Sequence, residues 1–409
     1  MSDKATSDAP SRDALTRSFT FCTGIENSAP AITGPDGKRR RVDQMIASGH
    51  DKRWRDDFRL VRELGLHCLR YGAPYYRTHV APGRYDWSFT DETFAELQRL
   101  GITPIADLCH FSLPDWLDNF QNPDFPHYFA EYAEAFARRY PWIWLYTPVN
   151  EMLINAEYSA LRGYWNEQLC SDQAFVTALL NSVEANVRAS EAILRVCDAR
   201  FVQSESTRYY HPLNPESVKR TAHLNDTRFL SLDLNYSHSP SARMLEYLLK
   251  NGMTLERFDF FMNRTIRPYC IMGTDYYETS EMVVRPDGST KRSNILGYYG
   301  LALQYYHRYR LPVMHTETNQ FQPLNAAYWL ERQWANVLRL RQEGYPVIGF
   351  TWYSLTDQVD WDTDLVDQHG NVNSCGLYDL DRRIRRVGVT YQRIVRDWRH
   401  ALADVDFRY

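Results

Sequence analysis

Short apolar runs alternate with longer amphipathic stretches along the whole chain, and no feature constrains the fold more. That alternation predicts parallel βα units. The expected core strands are Phe19–Gly24, Cys68–Tyr71, Thr103–Cys109, Ile143–Pro148, Arg200–Ser204, Cys270–Asp275, Pro312–His315 and Val347–Trp352. Helical patterns fall between them at Trp54–Leu64, Asp91–Leu100, Phe125–Arg139, Ala174–Arg195, Gly297–Tyr309 and Ala327–Glu343. Asp91 reads as an N-cap, and Gly65, Gly101 and Gly344 each stand just past a helix end. Eight strands with intervening helices predict an α/β fold, a single (β/α)8 TIM barrel with rim insertions. In such a barrel, catalytic groups belong at the C-terminal strand ends. The stretch 208–268 is longer than an ordinary βα connection, and it is expected to be helical and to decorate the rim. Residues 1–17 are expected to be a flexible tail, and 18–409 the catalytic barrel.

Two glutamates stand out against this frame. Glu151 closes an apolar run at the fourth strand, Trp142-Ile143-Trp144-Leu145-Tyr146-Thr147-Pro148-Val149-Asn150-Glu151, and Glu317 follows the seventh. A carboxylate at a buried strand end is costly unless something nearby uses or neutralises its charge. Two from distant strands suggest one assembled site, and glycosidic bond cleavage most simply needs such a pair.

Composition narrows the alternatives. The 47 basic and 51 acidic residues nearly cancel, so nothing steers the chain toward nucleic acid or an anionic membrane. No run approaches the roughly 18 apolar residues of a spanning helix. Seven scattered cysteines suit a reducing cytoplasm better than a disulfide framework. They form no Cys-x-x-Cys pair, and no His-Glu-x-x-His occurs, so neither metal nor cofactor is expected. Aromatics reach 14%, mostly for packing, with a mild lean toward sugar stacking.

Further polar and aromatic residues recur at the strand ends: Arg70, His110, Asn150, Tyr276, Tyr277 and the segment from Trp352 to Trp361. Each alone has an ordinary structural explanation. Their shared placement at one barrel face favours a site. Glu205, after the fifth strand, is read equally as a site neighbour or a solvated loop carboxylate. Cys109 beside His110 is read as structural, since adjacent strand residues face opposite ways. His315 either tunes Glu317 or packs below it.

These segments resemble glycoside hydrolase family 1, the β-glucosidase-type retaining glycosidases, from about Phe19 to Trp398. Thr147-Pro148-Val149-Asn150-Glu151 resembles the family's Thr-x-Asn-Glu acid/base segment, and His315-Thr316-Glu317-Thr318-Asn319 its Thr-Glu-Asn-Gly nucleophile segment. His110-Phe111-Ser112-Leu113-Pro114 is similar to His-Trp-x-x-Pro, and Leu69-Arg70-Tyr71 to Tyr-Arg-Phe. Gly273-Thr274-Asp275-Tyr276-Tyr277 resembles Gly-x-Asn-Tyr-Tyr, and Ser354-Leu355-Thr356-Asp357-Gln358-Val359-Asp360-Trp361 resembles Ser-Leu-x-Asp-Asn-Phe-Glu-Trp. The resemblance implies Glu317 as nucleophile, kept ionised by Arg70 and oriented by Tyr277, with Glu151 as acid/base. It implies Asn150 on the 2-hydroxyl, His110 and Asp360 on ring hydroxyls, and Trp352 or Tyr353 as the sugar's floor.

The departures cluster on sugar-reading groups. Ala31 stands near the family's glutamine, with Glu26 a possible substitute contact. Asp360 replaces a glutamate, Tyr353 a tryptophan, and Met152 the proline after the acid/base. The expected function is a retaining β-glycosidase acting on a small soluble glycoside with an altered glycone. A transglycosidase using the same glutamates, or a non-catalytic sugar-binding barrel, are the alternatives.

Overall fold

The computed structural model describes residues 19–264 and 266–402. The expected tail at 1–17 lies outside them. Eight parallel strands close into a barrel in sequential order. They are β1 (Thr20–Gly24), β2 (Cys68–Gly72), β3 (Thr103–Asp107), β4 (Leu145–Thr147), β5 (Arg200–Gln203), β6 (Cys270–Asp275), β7 (Val313–Glu317) and β8 (Val347–Trp352). The surrounding helices are α1 (His50–Glu63), α2 (Ser88–Arg99), α3 (Phe125–Arg139), α4 (Asp172–Leu194), α5 (Leu230–Asn235), α6 (Gly297–Tyr309), α7 (Pro323–Gln342) and α8 (Arg386–Trp398). No helix among the described residues is long and apolar enough to cross a membrane.

Strand alternation builds two cores. Cys22, Cys68, Ile105, Leu145, Val202, Ile271 and Met314 cluster together in the barrel interior. Leu69, Tyr71, Ala106, Tyr146, Phe201 and Met272 join the much larger cluster between the strands and the helices. Because side chains repeat with period two, Arg70 and Asp107 share the inner face with Cys68 and Ile105. The apolar interior therefore ends in charged residues at the C-terminal rim.

Gly65, Gly101 and Gly344 all adopt positive φ just past α1, α2 and α7, as expected. Asp91 is not a cap. Its helix begins at Ser88, and Asp91 instead accepts from Arg139 Nε at 2.7 Å and from the Tyr140 hydroxyl at 2.8 Å, tying α2 to α3. The 208–268 stretch is largely helical, but most of it does not decorate the rim. Helix α5 packs on α4, and Asp233 within it accepts two hydrogen bonds from Arg308 of α6. Arg257 meanwhile reaches Glu184 and Asn181 of α4. The stretch fills the flank between α4 and α6, where an apolar barrel wall has to be covered. Only its beginning reaches the rim, as strand Tyr209–Pro212 pairs with Glu281–Val284.

A buried ion cluster locks α1 to the loop before α8. Asp57 accepts from Arg382 Nε at 2.8 Å and Nη2 at 2.9 Å, and from His50 Nδ1 at 2.8 Å. Burial works against the Asp57 carboxylate, but His50 and Arg382 outweigh it and hold its pKa below the usual range. Asp57→Ala leaves a buried guanidinium unpaired, and urea unfolding is expected to show a loss of about 3–5 kcal/mol. The folded pKa lies below the unfolded ~3.9, so this stabilisation is complete at neutral pH. It fades only as pH falls below about 4.

Candidate active site

Glu317 ends β7, and its orientation depends on an irregularity in that strand. Opposite β6, the pairing steps from Thr274↔His315 to Asp275↔Glu317, so one residue of β7 is passed over. This bulge reverses the alternation, and Glu317 joins Met314 on the inner side. The neighbouring His315 faces outward, its ring stacked on Tyr298 at 4.0 Å and edge-on to Phe350. Burial drives its pKa down to about 3, so it packs as a neutral ring.

Two donors meet the two oxygens of Glu317. Arg70 Nη1 pairs with Oε1, and the Tyr277 hydroxyl donates to Oε2 at 2.6 Å. Arg70 is almost wholly buried and also donates from Nη2 to Asn150 Oδ1 at 2.8 Å and Asp107 Oδ2 at 3.3 Å. Burial alone would weaken its charge, but Glu317, Asp107 and Asp275 more than restore it. Its guanidinium lies over the Tyr353 ring, 5.3 Å from the centroid.

Glu151 stands four residues past β4 rather than on it. Its backbone is left-handed, with φ 39°, and its N–H donates to Ser204 O at 3.1 Å, fixing the start of the short helix Met152–Ala156. The carboxyl is buried, and that burial raises its pKa well above the ordinary range. Asp275, Glu317 and Glu205 raise it further, against Arg208. One carboxylate oxygen each from Glu151, Asp275 and Glu317 lie within 4.8 Å of one another. At that spacing two like charges repel by roughly 3–4 kcal/mol at an effective dielectric of about 20, so the three cannot ionise independently. These are the residues best placed to hold a cation. Both Glu317 oxygens are already engaged, however, and both Asp275 oxygens accept from Ser204 Oγ at 2.8 and 2.9 Å. Arg70 supplies the nearest countercharge.

A second chain of contacts leads from this centre toward β1. His110 Nδ1 donates to Asp107 Oδ2 at 2.7 Å, and its Nε2 accepts from Asn150 Nδ2 at 3.1 Å. Glu26 Oε1 lies 4.0 Å from the same Nε2. Burial disfavours the His110 cation, yet Asp107, Glu26 and Glu317 raise its pKa overall. Glu26 itself accepts from Ser28 N at 2.9 Å and Gln358 Nε2 at 2.8 Å, and burial raises its pKa. The structure therefore brings Glu26, Arg70, His110, Asn150, Glu151, Tyr277 and Glu317 together.

Three expected sugar contacts stand differently. Trp352 is fully buried and donates its indole N–H to Cys375 O at 2.9 Å, so it belongs to the core. Tyr353 is the residue beside the site, stacked with His110 at 6.2 Å. A Cβ on Gly24 would fall 2.3 Å from its ring, so only glycine lets Tyr353 lie there. Asp360 sits at φ 58°, and its oxygens accept from Gly370 N at 3.0 Å and Asn371 N at 2.7 Å. It shapes its own loop. Trp361 is half-buried against Phe111 and Trp165, with its indole nitrogen lacking a protein partner.

Glu205 is no solvated loop carboxylate. It is fully buried, accepts from Leu153 N at 3.3 Å and Ser206 N at 3.0 Å, and is pushed up to about 7 by burial. Cys109 donates its thiol to Ser112 O on the outer face, and burial pushes its pKa far up, so it is structural. Asp107, Asp275 and Gln358 were not singled out by the sequence. The first two end β3 and β6, where inward parity with Ile105 and Ile271 could have found them.

The glycosyl hydrolase family 1 model matches residues 34–295. β-Glucosidase A of Thermotoga maritima is 21% identical over 86% of this chain and 87% of its own length. The aryl-phospho-β-D-glucosidase BglA of Bacillus subtilis is 33% identical, but over only 22% of this chain and 20% of its own. Among solved structures, a family 1 β-glucosidase from Thermotoga maritima superposes with a TM-score of 0.76 at 17% identity, covering 93% of this chain and 98% of that one. With a closed parallel barrel, one glutamate in the loop after β4 and another at the end of β7, this chain belongs to glycosyl hydrolase family 1 and is a glycoside hydrolase.

Proposed function

We propose that the protein is a retaining β-glycosidase that cleaves a small soluble glycoside by double displacement. One observation carries the reading: the Glu151 and Glu317 carboxylate oxygens approach within 4.8 Å. Retaining enzymes hold their carboxyls roughly 5–5.5 Å apart, whereas inverting ones leave about 6.5–9.5 Å for water. Glu317 attacks the anomeric carbon while Glu151 gives its proton to the leaving oxygen. Forming the ester removes the Glu317 charge, and Glu151, now a carboxylate, takes a proton from the incoming water. Asn150, polarised between Arg70 and His110, holds the 2-hydroxyl. His110 and Glu26 read ring hydroxyls, and Tyr353 lies under the sugar.

The relatives' names point to glucosides and phosphorylated glucosides. Glu26 and Asp107 flank His110, and Arg70 is committed to Glu317, which supports an uncharged sugar over a phosphorylated one. Residues 18–409 would be the catalytic unit, and free thiols at Cys22, Cys68, Cys109, Cys170, Cys270 and Cys375 fit a reducing cytoplasm.

The test is a panel of aryl β-glycosides followed by proton NMR. The expected first product is the β-anomer of one neutral sugar. An α-anomer would overturn the double displacement. Predominant transfer to acceptor alcohols would make the enzyme a transglycosidase, and tight binding without turnover would favour the sugar-binding barrel.

A further inference from the structure

The mechanism above leaves one carboxyl in the centre without a task. Asp275 ends β6 fully buried, where the matching family segment carries asparagine. Aspartate and asparagine have nearly the same shape, and either would accept the Ser204 hydroxyl. Packing therefore does not explain the acid. What aspartate adds is a charge or a proton, placed within 4.8 Å of both catalytic oxygens.

The surroundings give that charge little relief. Glu151 faces Asp275 from the β4 loop, Glu317 from β7, and Tyr277 from its own segment. Tyr298 of α6 approaches through Thr274, with hydroxyls 2.8 Å apart. Glu205 lies behind, its carbonyl accepting the Asp275 N–H at 3.0 Å. Two cations are near. Arg70 is engaged by Glu317, Asn150 and Asp107, and Arg208 donates to Glu157 at 2.6 Å.

We propose that Asp275 is a positioning residue for the acid/base: Glu151 and Asp275 retain a single proton between them, through mutual repulsion rather than direct contact, so Glu151 stays loaded as an acid into alkaline solution. The inference rests on the retaining reading of Glu151. Burial raises the pKa of both groups, and Asp275 is the largest charged influence on Glu151. The proton balance closes over a cycle. Glu151 passes its proton to the leaving oxygen, recovers one from the attacking water, and the pair ends with the proton it began with.

The decisive comparison is Asp275→Asn, read by the pH profile of kcat/KM and by infrared titration of protonated carboxyl groups. With Asp275 neutral, the alkaline limb is expected to move down by at least one pH unit, a tenfold loss at a fixed alkaline pH. The most alkaline carboxyl deprotonation of the wild type should vanish in Asp275→Asn. It should vanish as well in Glu151→Gln, which keeps the test available if the first variant fails to fold. An unmoved limb, or an alkaline step that persists in either variant, overturns the pairing. If the wild type cleaves no glycoside yet the step is lost in both variants, the pairing stands and the retaining reading falls.

Discussion

Glu317→Gln is expected to lower kcat/KM by about 10⁴-fold or more, because the amide cannot form the glycosyl ester on which the proposed double displacement depends. The substitution is nearly isosteric, and Tyr277 can still donate to the amide oxygen. Arg70 loses its anionic partner but keeps Asp107 and Asn150, so the fold should survive. Thermal unfolding should confirm a native barrel in the inactive variant. Loss of activity smaller than about 100-fold would mean that Glu317 is not the nucleophile.

Arg70→Met is expected to damage stability and activity together. The guanidinium pairs with Glu317 and Asp107 and also lowers the cost of the Asp275 charge, and it lies on the inner barrel face with almost no solvent access. Removing one member of such a buried cluster costs about 3–5 kcal/mol, because the carboxylates left behind are unpaired and still desolvated. Urea unfolding should show that loss at neutral pH, and the loss should shrink as pH falls, since protonated carboxyls no longer need the cation. Activity should drop by about 10²–10³-fold through misplacement of Glu317 and Asn150. Arg70→Lys should recover part of the stability but little of the activity. A single ammonium on a flexible stem cannot serve Glu317 and Asn150 at once.

Much of this arrangement was legible in the chain. All eight strands stand where the apolar runs fall, since a parallel strand buried on both faces must be apolar along its length. Glu151 and Glu317 were conspicuous because charge at the end of such a run demands a reason. The less legible features share a cause. Asp107 and Asp275 look like strand residues, and only their parity with Ile105 and Ile271 places them inside. At Glu317 parity itself misleads, because the β7 bulge changes face and no residue type announces it. Trp352 and Tyr353 could not be told apart without register, although neighbouring strand residues must diverge. Asp91 looked like a cap because its interhelical partners, Arg139 and Tyr140, lie in the next unit. The flank position of 208–268 followed from Asp233–Arg308 and Arg257–Glu184, pairings invisible to local pattern.

The most direct measurement is mass spectrometry of the enzyme trapped with a slowly turning over 2-deoxy-2-fluoro β-glycoside of the sugar that the panel identifies. A stoichiometric covalent sugar on the peptide containing Glu317, absent from Glu317→Gln, is the predicted result. Turnover of the parent glycoside with no adduct on Glu317, or with the adduct on another residue, would contradict the account.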